Sequence, residues 1–133
     1  MGEYSIKYLE MLQAVIGRMA GNQFTLRTWS VGLGTAVIGY GASKEGHPKA
    51  ALLAIFPAIV FWFLDAYYLA LEREFRVLFS TALGAKGDQA TFSFAASVTR
   101  TDLLEAFRRP AVWLVHSAVI VMALVVGALT WLR

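Results

Sequence analysis

The stretch Ala50–Leu71, AALLAIFPAIVFWFLDAYYLAL, carries one charge, Asp65, in a run long enough to cross a hydrocarbon layer. Such a layer is roughly 30 Å thick and takes about 20 helical residues. Two further runs flank it. Phe24–Ala42 is apolar apart from Arg27 and a few hydroxyls, and Ala111–Leu132 holds no charge. The pattern predicts an all-α membrane protein with three transmembrane helices, preceded by an amphipathic helix over residues 4–20. The spans are expected at 24–42, at 50–79 and at 110–132. The second is long and projects into the cytoplasm, and a cytoplasmic segment over 80–109 follows it.

Composition agrees. Hydrophobic residues make up 58% of the 133 residues, and the mean hydropathy of +0.58 exceeds that of an ordinary soluble domain. So short a chain has room for one membrane domain and none for a separate catalytic one. It contains no cysteine, which removes disulfides, thiolate metal sites and thiol catalysis. The net charge of +3 does not point to direct nucleic-acid binding. The basic residues gather at the ends of the apolar runs, where lipid headgroups account for them, and no basic stripe with interleaved aromatics occurs.

Along the chain, Tyr8, Leu12, Val15 and Met19 recur at helical spacing, with Lys7, Glu10, Gln13 and Arg18 around them. Gly21-Asn22 is expected to break this helix from the first span. The region Met1–Met11 has no apolar core and does not read as a secretory signal. Pro57 is expected to bend the second span without ending it. Thr91-Phe92-Ser93-Phe94 alternates and suggests a short extended piece. Asp102, followed by Glu105, reads as the N-cap of a short helix through Phe107. Pro110 falls in the first turn of the third span, where a missing N–H costs least.

Orientation follows from the positive charges. Lys7, Arg18 and Arg27 share a side with Arg73, Arg76, Lys86, Arg100, Arg108 and Arg109, against Lys44, Lys49 and Arg133 opposite. The positive-inside rule puts the N-terminus in the cytoplasm and the C-terminus outside.

Within the spans, Asp65 and His116 fall at matching depths from the cytoplasmic ends of their runs, and Arg27 can reach the same level. A charge in hydrocarbon is costly, so Asp65 is expected to pair with Arg27, His116 or a tyrosine hydroxyl such as that of Tyr67 or Tyr68. It serves either as a buried anchor or in an ion or proton path. Small residues form two rows: Thr28, Gly32, Ala36, Gly39 and Ser43 on the first span, and His116, Ala123, Gly127 and Thr130 on the third. Rows of this kind let helices approach closely, or line a pore. Trp29, Trp113 and Trp131 suit an interfacial belt. The charged end of the second span, with Glu72, Arg73 and Arg76, is a candidate surface for receiving a cytoplasmic signal. No metalloprotease, phosphate-loop or nucleophile-elbow motif occurs, and neither a cofactor, a metal site nor an enzymatic activity is expected.

The blocks Asn22-Gln23-Phe24-Thr25-Leu26-Arg27-Thr28-Trp29-Ser30-Val31 and Phe61–Arg76 resemble small bacterial membrane proteins encoded beside anti-phage defence genes. These are the ancillary membrane proteins of RADAR and type VI CRISPR loci and, more loosely, SLATT-type effectors. The likeness spans roughly residues 8–80, and three spans in place of two departs from the SLATT pattern. It implies a bacterial inner-membrane protein that associates with copies of itself and with a cytosolic defence protein. The expectation is a homo-oligomeric effector or pore that perturbs the bilayer when activated. The alternatives are a non-conducting anchor for a cytosolic defence complex and, with less support, a small transporter.

Overall fold

In the computed structural model, which describes residues 2–84 and 92–132, every regular element is helical. Helix α1 covers Glu3–Ala42, α2 Ile55–Gly84, α3 Arg100–Phe107 and α4 Pro110–Trp131. A 3₁₀ segment, Pro48–Ala54, leads into α2. The stretch from Lys49 to Gly84 and α4 are each long and apolar enough to cross a membrane. α1 does not belong to that pair; its apolar half is diluted by hydroxyls, glycines and Arg27.

The break expected at Gly21-Asn22 is absent, and α1 runs unbroken for 40 residues, about 60 Å at 1.5 Å per residue. An interior glycine costs a helix about 1 kcal/mol. Here one continuous buried stripe outweighs that cost. Tyr8, Leu12, Gln23, Ser30, Gly34, Ile38 and Gly41 follow one another along the same side, from the N-terminal half into the apolar half. The two stretches read separately from the sequence are one rod.

The return to α2 is made by Ser43–His47. The helix from Pro48 is 3₁₀ up to Ala54 and α from Ile55. Pro57 therefore sits in the first α turn, where its missing N–H breaks no α-helical hydrogen bond, which explains why the helix continues past it. α2 extends to Gly84, five residues beyond the expected end at 79.

Residues 92–99 form no strand. Phe92 and Phe94 instead set their rings edge-on to Tyr8, each 5.2 Å between centroids. The Tyr8 hydroxyl donates to the Ser93 carbonyl. Thr91 lies outside the described residues. The cap of α3 also differs from expectation: Thr99, not Asp102, is the N-cap. Asp102 is its N3 partner in a reciprocal capping box, accepting from the Thr99 N–H at 2.9 Å. Those bonds hold the Asp102 carboxyl below its ordinary pKa. Pro110 opens α4 as expected.

α1 and α2 run antiparallel, and α4 lies beside both. The interior has two apolar clusters. Ile38, Ala54, Ala58, Val119 and Ala123 fill the end towards the Ser43–His47 turn. Ala66, Ala70, Ala106 and Val112, backed by Trp62, Leu69 and Phe107, fill the end towards α3. Alanines dominate because the helices lie close. The same closeness requires glycine at position 41, where an added Cβ would stand 2.5 Å from the Ala51 backbone nitrogen. Beside the α3 end of this interior, all three long helices contribute polar side chains.

Candidate functional site

Arg27 on α1 forks onto Asp65 on α2. Its Nε donates to Oδ2 at 2.7 Å and its Nη2 to Oδ1 at 3.1 Å. This two-bond geometry is the strong form of a carboxylate–guanidinium pair. His116 on α4 places Nε2 3.1 Å from the same Oδ2, and its Nδ1 is 2.9 Å from Ser30 Oγ on α1. Asp65 and His116 are fully buried, and Ser30 is 2% exposed.

An ionised carboxylate only accepts, so His116 Nε2 carries a hydrogen toward Asp65, and its Nδ1 shares a hydrogen bond with the Ser30 hydroxyl. Arg27 balances the Asp65 charge. A second charge pair continues the network towards the end of α2. Gln23 accepts from Arg27 Nη2 at 3.3 Å and donates through Nε2 to Glu72 Oε2 at 2.5 Å. Glu72 Oε1 accepts from Arg76 Nε at 2.8 Å. The path from Arg76 through Glu72, Gln23, Arg27, Asp65 and His116 to Ser30 is unbroken and its formal charges cancel.

Sequence foresaw the meeting of Asp65, Arg27 and His116 at one level, and the structure brings the three together. The tyrosine alternative is not used: Tyr67 is 40% exposed and meets Tyr68 edge-on. Glu72 is largely enclosed by Gln23 and Arg76, while Arg73 reaches Glu105 on α3 at 3.4 Å. Ala123 and Gly127 lie on the buried face of α4. Gly32, Ala36 and Gly39 do not meet them; all three are exposed, and a Cβ added at either glycine would find nothing within 4 Å.

Ser30, Gln23 and Trp62 were not anticipated. Trp62 stacks on Phe107 at 5.1 Å and on His116 at 6.4 Å, and its indole N–H is buried with no partner. The spacing of 23, 27, 30 and 34, one helical stripe, was the signal that could have found Ser30 and Gln23.

Chemically, the order hydroxyl, imidazole, carboxylate is that of a nucleophile relay. Two features oppose such use. The guanidinium fork already satisfies the carboxylate that would stabilise an imidazolium, and Ser30 Oγ is closed to any substrate unless α1 and α4 part. Against a proton path stand the guanidinium within it, since such a group holds its protons tightly, and the apolar core past Ser30, made of Ile38, Ala54, Ala58, Val119 and Ala123. The arrangement joins α1, α2 and α4 through side-chain bonds at one level. Among the described residues no group of three or more metal-ligating side chains occurs. No protein-family model, curated protein or solved structure matches this chain.

Proposed function

We propose that this chain is a multi-pass protein of the bacterial inner membrane, N-terminus in the cytoplasm and C-terminus outside, that assembles with copies of itself into a membrane-perturbing effector. The observation that carries assembly is the open row Thr28, Gly32, Ala36 and Gly39 on α1. It faces outward from a subunit whose own packing uses the opposite side of that helix.

Membrane insertion has separate support. Only 33% and 28% of the most apolar windows of the second and fourth helices are buried, the reverse of a soluble core helix. Phe56, Leu53 and Leu124 are among the large apolar side chains turned outward. α1 is read as the third span because its charge at Arg27 is answered inside the bundle, which lowers the cost of carrying it into hydrocarbon. The N-terminal half of α1 and the far end of α2 then project into the cytoplasm, with Phe92–Phe94 held against α1 by Tyr8. That projection is where a cytosolic partner would act, and the resemblance to proteins of anti-phage loci gives the setting in which it would do so.

The second reading, a non-conducting anchor for a cytosolic defence protein, draws on the polar network. It is complete within one subunit and blind at Ser30, so a pore would have to run between subunits along the open α1 row. One reconstitution separates the two. Purified protein in liposomes is expected to release a trapped fluorophore and to migrate in detergent above the 14.6 kDa of one chain. Assembly without leakage favours the anchor, and a monomer with no leakage defeats the effector. Because the chain has no cysteine, single cysteines placed at Ser43 and Ser80 can be labelled from either side. Labelling of both from one side would overturn the topology.

A further inference from the structure

We propose that one anionic glycerophospholipid of the inner leaflet occupies the groove between α2 and the Val98–Leu103 stretch, its phosphate on Arg100 and an acyl chain along Phe63, Leu64 and Leu103. The site rests on the membrane reading above and adds a ligand to it.

The groove measures about 360 Å³ and is walled by Phe63, Leu64 and Tyr67 of α2 and by Val98, Arg100 and Leu103. Its lining is almost wholly apolar in area, with Thr99 also on the wall and Arg100 the charged residue there. Phe63 is 50% exposed, so the trough opens outward and is not filled by the protein itself.

Arg100 differs from the other arginines packed near α2. Arg27 has Asp65, Arg76 has Glu72 and Arg73 has Glu105. Arg100 is exposed and makes no ion pair among the described residues. Depth makes this consequential. Leu64 and Tyr67 lie five to eight residues before Glu72, roughly 7–12 Å along the helix. With Glu72 at the cytoplasmic boundary, Arg100 stands at the inner edge of the hydrocarbon, where a cation without a counter-charge is expensive.

A molecule with a charged head and an apolar tail answers both halves of the site. Two of its phosphate oxygens can accept from the Arg100 guanidinium in the two-bond fork that arginine favours. Its chain covers apolar surface that nothing in the subunit covers. A zwitterionic lipid supplies the phosphate but cancels the field with its own ammonium, so the site favours an anionic head.

The test is native mass spectrometry of the full chain from nanodiscs of phosphatidylglycerol and phosphatidylcholine in equal amounts. Wild type is expected to retain phosphatidylglycerol in preference. Arg100→Gln should lower that retention about tenfold, the order of one charge-assisted hydrogen bond. Leu103→Trp should fill the trough and release lipid of either head group, and Arg18→Gln, on an exposed turn of α1, should change nothing. Equal retention of both lipids by wild type, or retention unchanged in Arg100→Gln, overturns the proposal. So does a Leu103→Trp variant that alters oligomer mass without altering lipid, which would make the groove the seat of a second copy. Should Arg100→Gln fail to fold, Arg100→Met removes the charge while keeping an apolar stem, and undiminished selectivity there is equally fatal. Failure of the membrane reading looks different: wild type would then not enter the discs at all.

Discussion

Two faces of α1 carry rows of small residues, and only one of them packs. Ser30 and Gly34 lie against α4 and Gly41 against the 3₁₀ segment, while Thr28, Gly32, Ala36 and Gly39 face away. At about 100° per residue these rows are nearly opposite on the helix. Composition does not separate them, since both hold glycines at helical spacing. The packed row is the one that shares its stripe with Gln23 and Arg27, whose bonds to Glu72 and Asp65 leave α1 one rotation about its axis. Polar contacts choose the face, and small residues on that face then permit the approach. The other row is left for whatever lies outside the subunit.

The sharpest way to break this account is to remove the contact that selects the face. Asp65→Leu leaves the Arg27 guanidinium without its carboxylate and the His116 N–H without an acceptor. Deleting one partner of a buried pair costs about 3–5 kcal/mol. The variant should melt far below wild type in detergent. Asp65→Asn, which keeps the shape and one accepting oxygen, should lose less. Equal stability of Asp65→Leu and wild type would mean that the polar layer does not set register.

Glycine substitutions on the two faces come next, because they should differ in sign. A Cβ at Gly34 would stand 2.5 Å from Val119 Cγ1, and one at Gly41 would meet Ala51 backbone that has no rotamer to move. Gly34→Ala and Gly41→Ala should each destabilise by about 1–3 kcal/mol, Gly41→Ala more. Gly32→Ala and Gly39→Ala meet open space, so in the separated subunit they should gain about 0.5–1 kcal/mol as better helix formers. Thermal unfolding of all four in a detergent that dissociates assemblies checks the contrast, and destabilisation at all four would erase it.

Larger side chains on the open face sharpen the comparison. Gly32→Leu and Gly39→Leu should leave the subunit fold intact while shifting the mass of the assembly, since the added bulk holds neighbouring subunits apart. Unchanged mass for both would return this face to lipid.

The smallest effect is expected at α3. The Asp102 carboxyl is held below its ordinary pKa by its bonds from Thr99. Its contribution to the cap is therefore present above the ordinary carboxylate range and is lost as pH falls through the depressed value, below about pH 4. Amide exchange at Leu103, corrected for its intrinsic rate, should quicken on acidification while α4 amides do not change. Thr99→Ala should quicken it about fivefold at neutral pH and abolish the pH response.

Much of the site was legible because charge in an apolar run demands a partner. Counting inward from the ends of the runs put Asp65 and His116 at one depth and Arg27 within reach. Ser30 and Gln23 gave no such compulsion, because an uncharged polar side chain in a helix has its own backbone as a fallback, as Thr28 shows by donating to the Phe24 carbonyl. The misread elements differ in cause. Gly21-Asn22 is a local signal, overridden by the long stripe of α1, and the N-cap expected at Asp102 falls three residues late because that reading passes over Thr99. Which small-residue row would pack was not legible, because it depends on contacts between residues as far apart in the chain as Gln23 and Glu72.

The order of the polar residues along the chain has a consequence in time. Arg27 is synthesised before Asp65, and Asp65 before His116, so each group that would suffer in hydrocarbon emerges ahead of its partner. If the chain threads a bilayer as proposed, α1 is a poor passenger alone and becomes a stable one only when α2 arrives beside it. Its insertion is then a joint event of two hairpin-linked helices, delayed until some forty residues later in translation, and α4 locks an arrangement already made. A ribosome stalled before Asp65 would leave α1 unanchored, and one stalled once all of α2 has left the exit tunnel would not.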